Sequence, residues 1–161
     1  MTDHQKAVES LLRAIAINPS NASVYYQVGL QYAELDDYTK AVKYCQQAID
    51  LNPHEPAAYY HIGLAYHKLM NFTKAVEYYQ QAIELNDQYV EAYHSMGLAY
   101  SSLGNNGRAI ECYQQTIQLN SRYVEAHYSM GAAYYRLGNY ARAIQCYELG
   151  DSLDMRELSQ G

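Results

Sequence analysis

Apolar residues recur along the chain with the period of amphipathic helices. In one segment Tyr25, Val28, Gly29 and Tyr32 follow the spacing i, i+3, i+4 and i+7. Turn signals interrupt such segments at Asp36-Asp37, Met70-Asn71, Gly104-Asn105-Asn106, Gly138-Asn139 and Asn52-Pro53. The pattern predicts four helix pairs, over residues 22–35 and 38–51, 56–69 and 72–85, 90–103 and 106–119, and 124–137 and 140–149.

The helix pairs are copies of one another. A glycine returns every 34 residues, at Gly29, Gly63, Gly97 and Gly131. A second motif follows each glycine and reads Lys40-Ala41-Val42, Lys74-Ala75-Val76, Arg108-Ala109-Ile110 and Arg142-Ala143-Ile144. A constant period of this length indicates stacked units, each of which buries its apolar face against its neighbours.

The unit resembles the tetratricopeptide repeat. The first unit supplies the family's signature positions through Tyr25, Val28-Gly29, Tyr32, Ala41, Cys45, Ala48 and Pro53. The other units match at most of these offsets, with Asp87 and Ser121 where the family has Pro. Tyr or His stands where the family has its first Trp. The resemblance implies an all-α fold, a right-handed α-solenoid of stacked antiparallel helix pairs, with repeats over residues 22–55, 56–89, 90–123 and 124–157.

Both ends of the stack depart from this unit. Residues 1–21 align with the second half of a repeat and are expected to form an N-terminal capping helix, since Lys6-Ala7-Val8 matches Lys40-Ala41-Val42. Gly150 takes the place of an alanine, so the last helix is expected to stop early, near residue 150, and residues 158–161 to form a tail. That end is expected to be uncapped, so either the chain continues in the natural protein or the C-terminal repeat meets another subunit in a homo-oligomer.

Composition narrows the class of partner. The chain of 161 residues has a net charge of -6, which argues against nucleic acid because that binding needs a basic surface. No signal peptide or spanning segment is recognised, and the three cysteines Cys45, Cys112 and Cys146 lack metal or disulfide spacing. We therefore expect a cytoplasmic protein that does not insert into membranes.

No group of residues predicts catalysis. His61 and His67 are six residues apart, which is not the spacing of a zinc-binding helix. His61 and His94 are better interpreted as polar groove residues than as a pair of metal ligands. Gly104-Asn105-Asn106-Gly107 lacks the Lys-Ser/Thr of a phosphate loop and is interpreted as a turn. We expect no enzyme activity, metal or cofactor.

A second apolar face on the first helix of each pair suggests a binding surface. It carries Tyr26 and Leu30, Tyr60 and Leu64, His94 and Leu98, and Tyr128 and Ala132, each pair at i, i+4. The resemblance implies that first helices line a concave groove. The predicted partner-binding residues are Tyr26, Leu30, Tyr60, His61, Leu64, Lys68, His94, Leu98, Tyr128 and Arg136. The tyrosines have a second interpretation, as buttresses between neighbouring first helices.

Leucine beside tyrosine favours an apolar or amphipathic peptide or protein segment as ligand. Relatives that bind the C-terminal Glu-Glu-Val-Asp of heat-shock chaperones use Lys, Asn and Arg, where this chain has Tyr26, Leu30, His61, Glu91 and Ser95. A chaperone adaptor of that type is therefore not expected. The leading interpretation is a scaffold or adaptor for protein–protein interaction. A dedicated secretion-type chaperone and a self-assembling structural scaffold are the alternatives.

Overall fold

The computed structural model describes residues 1–160, and every regular element among them is a helix. The helices are α1 (Asp3–Ile17), α2 (Ala22–Glu34), α3 (Tyr38–Leu51), α4 (Pro56–Lys68), α5 (Phe72–Leu85), α6 (Val90–Ser102), α7 (Asn106–Leu119), α8 (Val124–Arg136) and α9 (Tyr140–Gln160). Apart from the end of α9, the predicted bounds of the four pairs agree with these helices within one residue. The predicted N-terminal helix is α1.

Side-chain caps define where the second helix of each pair begins. The carboxylate of Asp37 and the amides of Asn71 and Asn105 each accept a hydrogen bond from the backbone N–H three residues ahead, at 3.1–3.2 Å. Asn139 accepts the equivalent bond from Arg142 at 3.3 Å. Each cap satisfies one of the free N–H groups that a helix start leaves exposed. The turn signals in the sequence are therefore helix caps.

The turns within the pairs need a left-handed residue. The φ angle is 57° at Asp36, 59° at Met70, 78° at Gly104 and 77° at Gly138. Two turns thus use glycine, which has no Cβ to clash in this region, and two use residues for which it is costly.

The described residues divide into two compact units. The first, Met1–Asp87, contains α1 to α5, and the second begins at Gln88 and contains α6 to α9. In the first unit a buried cluster joins α3 to α4 through Cys45, Ile49, Ala58 and Ile62. In the second unit a cluster joins α7, α8 and α9, with Tyr113, Ala133 and Cys146 among its members.

The repeated glycines allow each first helix to approach its second helix closely. A Cβ at Gly63 would lie 2.6 Å from the ring of Tyr79, and a Cβ at Gly97 would lie 2.5 Å from the ring of Tyr113. Real Cβ atoms do not come so near, and both rings are 0–1% exposed and cannot move into solvent. The small residue and the ring are therefore a complementary pair within the hairpin.

The end of the last helix differs from the prediction. We expected it to stop near residue 150, but α9 continues through Gly150 to Gln160, so that expectation is wrong. Gly150 is a packing residue and not a stop signal, because a Cβ there would lie 2.9 Å from the ring of Tyr128. Residues 158–160 of the predicted tail are helical, and its last residue, Gly161, lies outside the described residues.

Candidate partner-binding site

In the first unit, four predicted residues line one open pocket. Leu30 of α2 faces His61, Leu64 and Lys68 of α4 across a cavity of about 550 Å³. The remaining lining residues are Gln31, Ala33, Glu34, Asp36, Tyr38 and Ala65. The two leucines are partly buried, and the Lys68 ammonium is exposed at the end of α4. The pocket therefore combines an apolar floor with charged edges.

His61 fixes the relation between α2 and α4. Its Nδ1 lies 2.8 Å from the carbonyl oxygen of Ala57 and 3.1 Å from the hydroxyl of Tyr26. The carbonyl can only accept, so the Nδ1–H tautomer donates to it. Burial lowers the pKa of His61, and the bond to the carbonyl opposes that shift. The imidazole is a neutral group that joins two first helices.

Tyr26 and Tyr60 pack against this imidazole from two sides. Their ring centroids lie 5.5 Å and 5.3 Å from that of His61, both edge to face. Burial, followed by the nearby Cys45 and Glu55, raises the pKa of Tyr26 to about 12. These contacts agree with the buttress interpretation of the tyrosines, which support the pocket from its side.

Acidic residues lie on the α2 side of the pocket. Glu34 is exposed, and Asp36 accepts a hydrogen bond from the hydroxyl of Tyr38 at 2.6 Å. Gln31 accepts a bond of 2.9 Å from the Nδ1–H of His4, which ties α1 to the same edge. The pocket thus has carboxylates at and just beyond the end of α2 and an ammonium at the end of α4, arranged to orient a segment that carries charge of both signs.

In the second unit, the predicted residues form separate pairs. His94 of α6 lies 3.2 Å, Nε2 to Oγ, from Ser129 of α8, and burial lowers its pKa while Glu125 opposes the shift. Arg136 of α8 donates to the hydroxyl of Ser101 at 2.7 Å. These two bonds join α6 to α8 at both ends, much as Tyr26 and His61 join α2 to α4.

Leu98 and Tyr128 complete the predicted set. Leu98 is 37% exposed on α6, which makes it the accessible apolar residue of this face in the second unit. Tyr128 turns toward α9 and donates to the Asp151 carboxylate at 2.7 Å. This bond, followed by burial, raises the pKa of Tyr128 to about 12. Tyr128 is therefore engaged within its own hairpin.

Sequence reasoning missed the acidic edge of the first pocket. Glu34 occupies in repeat 22–55 the offset that Lys68 occupies in repeat 56–89 and Arg136 in repeat 124–157. Lys68 and Arg136 were singled out for their positive charge, and the same offset would have identified Glu34. The hydrogen bonds of Ser101 and Ser129 had no signal in the sequence, since serine is common on helix surfaces.

The described residues contain no group of three or more His, Cys, Asp or Glu side chains placed to hold a metal ion. Within the same residues, no helix is both long enough and apolar enough to cross a membrane. The three cysteines are free and buried, and burial raises the pKa of Cys45 and Cys112 to about 12. These thiols pack in the cores and are poorly suited to nucleophilic chemistry.

The repeated helical hairpins, with a pocket lined by first helices, place the chain in the class of helical-repeat scaffolds. Family models described as tetratricopeptide repeat match residues 22–55 and 56–89, 78–111 and 124–154, and one described as TPR repeat matches residues 99–138. Together these matches run from residue 22 to residue 154. The chain belongs to the tetratricopeptide-repeat family, whose members are protein-binding scaffolds and are generally not enzymes.

Solved structures agree with this assignment. A crystal structure of MamA is 25% identical, covers 98% of this chain and 92% of its own, and has a TM-score of 0.94. YrrB, described as a TPR protein with an unusual peptide-binding site, is 22% identical, with 94% and 78% covered and a TM-score of 0.82. The first TPR domain of Spaghetti (RPAP3), bound to the HSP90 peptide SRMEEVD, is 25% identical, with 73% and 93% covered and a TM-score of 0.71. No curated protein sequence matches the chain.

These likenesses confirm the predicted α-solenoid of 34-residue repeats.

Proposed function

We propose that this scaffold binds an apolar or amphipathic segment of a partner protein along its first helices. The observation that carries the proposal is the pocket between α2 and α4, where Leu30 and Leu64 form an apolar floor beside His61 and Lys68. Partly exposed leucines on a rigid helical surface are suited to hold apolar side chains of a ligand.

The neighbouring charges favour an amphipathic ligand over a purely apolar one. Glu34 and Lys68 lie at the edge of the pocket, and among the described residues neither of them takes part in an ion pair. A ligand that places apolar residues over the leucines and charged residues over these edges would make favourable contacts with both the floor and the edges of the pocket. The structure of RPAP3 with its HSP90 peptide supports peptide binding by a scaffold of this kind.

Substitution of the accessible leucines tests this function. We expect Leu64→Glu/Leu98→Glu to lose the proteins that the wild-type chain retains from an extract of its own cells. A carboxylate at Leu64 on the pocket floor, or at Leu98 on the first helix α6, would be buried beneath apolar side chains of the ligand, which is costly. The matched control is Leu51→Glu/Leu103→Glu, which changes two leucines that are 46% and 47% exposed and line no part of the pocket.

The retained protein is then identified, and its binding segment is titrated as a synthetic peptide against all three chains. Equal helical circular dichroism shows that the variants are folded. A peptide that binds the Leu64→Glu/Leu98→Glu chain as tightly as wild type would refute groove binding. If the control loses the ligand equally, the binding surface lies elsewhere on the scaffold.

A further inference from the structure

The outer face of α9 carries an apolar stripe that no helix of the described residues covers. Tyr140, Ile144, Met155 and Leu158 are 59%, 56%, 70% and 77% exposed. At 3.6 residues per turn, these four side chains leave the helix within about 60° of one another. The stripe is roughly 27 Å long at 1.5 Å per residue.

The equivalent position in the preceding hairpin shows how unusual this exposure is. Ile110 of α7 corresponds to Ile144 of α9, 34 residues later, and is only 7% exposed because it packs in the cluster with Ala133 and Tyr134 of α8. An aromatic pair extends the apolar surface, since Tyr135 and Tyr140 lie edge to face with centroids 5.2 Å apart. A surface of this kind on a soluble chain marks an interaction site.

The end of α9 differs from the ends of the other second helices. Helices α3, α5 and α7 all end at an asparagine C-cap, Asn52, Asn86 and Asn120, from which the chain turns into the next hairpin. The same offset in α9 is Asp154, which is helical. Met155 and Leu158 lie beyond Asp154 and continue the line of Tyr140 and Ile144, at positions past the point where α3, α5 and α7 have ended.

The four apolar residues are spaced symmetrically about the middle of the stripe. Residues placed equally about a centre near residue 149 are Tyr140 with Leu158 and Ile144 with Met155. When two copies of α9 pair antiparallel about a twofold axis, each of these residues meets its apolar counterpart on the other copy. An isologous interface requires this self-complementarity. Antiparallel pairing also places the positive end of each helix dipole beside the negative end of the other.

The centre of the stripe is polar and sets the direction of pairing. Asp151 lies on the same side of α9, between the two apolar ends, and its carboxylate already accepts the Tyr128 hydroxyl at 2.7 Å. A polar residue at one position of a helix pair fixes its register, at a cost in stability. An in-register parallel pair would set the two Asp151 carboxylates directly opposite each other, whereas the antiparallel pair offsets them by about 6 Å along the helix axis.

We propose that the chain forms a twofold dimer through antiparallel pairing of α9, with Tyr140, Ile144, Met155 and Leu158 as its contact surface. Its contact residues all lie on α9 and none of them lines the pocket between α2 and α4, so the dimer adds to the proposed partner binding. It would present two partner-binding scaffolds in one particle, which raises avidity for a partner that has more than one binding segment.

Sedimentation of the full chain over a range of concentrations tests the pairing. The wild type is expected to reach twice the chain mass of 18.4 kDa, and Ile144→Glu/Met155→Glu is expected to remain monomeric. The matched control is Leu149→Glu, since Leu149 is 54% exposed but lies on the far side of α9. A monomeric wild type, a dimer that survives Ile144→Glu/Met155→Glu, or a dimer lost equally in Leu149→Glu overturns the proposal.

Single cysteines test the direction. Glu148→Cys lies beside the proposed axis and is expected to form an intermolecular disulfide, which needs Cα atoms within about 7 Å. Ile144→Cys would lie about 15 Å along the axis from its copy and is expected to form none. Cross-linking through both positions would indicate a parallel pair and overturn the antiparallel one. Wild type, with its buried Cys45, Cys112 and Cys146, gives the background.

Discussion

At the scale of single residues, the repeat works through pairs of a small and a large side chain. Gly63 and Tyr79 show the rule, since the ring fills the volume that a Cβ would need. Gly29 faces the thiol of Cys45 in the same way, so the first repeat keeps the contact with a smaller partner. The hairpin geometry therefore depends on the glycine more than on the chemistry of the residue that faces it.

Protonation of buried histidine gives a prediction at the same scale. Burial lowers the pKa of His61, so the unfolded chain binds a proton more readily than the folded chain. Stability is therefore expected to be highest above about pH 6.5 and to fall as the pH drops through that ordinary histidine value. His67 and His94 shift in the same direction and add to the effect.

Urea unfolding of wild type and His61→Gln between neutral and mildly acidic pH measures this contribution. The variant is expected to lose part of the pH dependence, because glutamine does not titrate. His54→Gln is the control, since the His54 side chain is exposed. Equal pH dependence in wild type and His61→Gln would contradict the assignment.

At the scale of helices, most boundaries could be predicted because caps and turns are local. Asp37, Asn71 and Asn105 bond the backbone three residues ahead, and such bonds involve only neighbours in sequence. The end of α9 could not be predicted, because Gly150 is set against Tyr128, 22 residues earlier, and not by its own neighbours. Glycine ends a helix only when it turns left-handed, and nothing local determines that choice.

The candidate site was predictable to a similar degree. The helical period placed Leu30 and Leu64 on one face, and both line the pocket. The period could not show that Tyr128 is drawn to Asp151, since that bond depends on the unexpected length of α9. The repeat pattern alone was enough to place Leu30 and Leu64, whereas the contact of Tyr128 depends on the end of α9, where the repeat pattern stops.

Two nearby glycines, Gly104 in the turn before α7 and Gly107 in the first turn of α7, give opposite predictions. Gly104 has a φ of 78°, so Gly104→Ala is expected to destabilise the chain by about 1 kcal/mol. Gly107 lies inside α7, where an added Cβ would meet the Asn105 Oδ1 at 3.9 Å, an ordinary contact, so Gly107→Ala is expected to stabilise the chain by up to about 1 kcal/mol. Urea unfolding of the two variants checks both signs. A loss of stability in Gly107→Ala would show that the start of α7 needs glycine for another reason.

At the scale of the whole molecule, stability is distributed among the hairpins. Residues Met1–Asp87 form a compact unit with its own buried cluster around Cys45 and Ile62. In repeat proteins each unit contacts only its neighbours, so a part of the array is able to fold when enough interfaces remain.

We therefore expect a fragment of residues 1–87 to fold as a helical domain that unfolds cooperatively at a lower temperature than the full chain. Circular dichroism during heating measures both properties. Because the fragment keeps the pocket between α2 and α4, Leu64→Glu within it gives a folding control for the partner titration. A fragment without helical signal would show that the first unit depends on the rest of the chain.

The asparagine caps also bear on how such a chain changes its length. Asn52, Asn86 and Asn120 close three second helices at one offset, so a duplicated segment such as residues 90–123 meets the same turn at both of its junctions. In α9 that offset is Asp154, inside the helix, and a segment added after it has no turn to join. Gene duplication of a segment such as residues 90–123 can therefore lengthen the array upstream of α9 without changing the turns at its junctions.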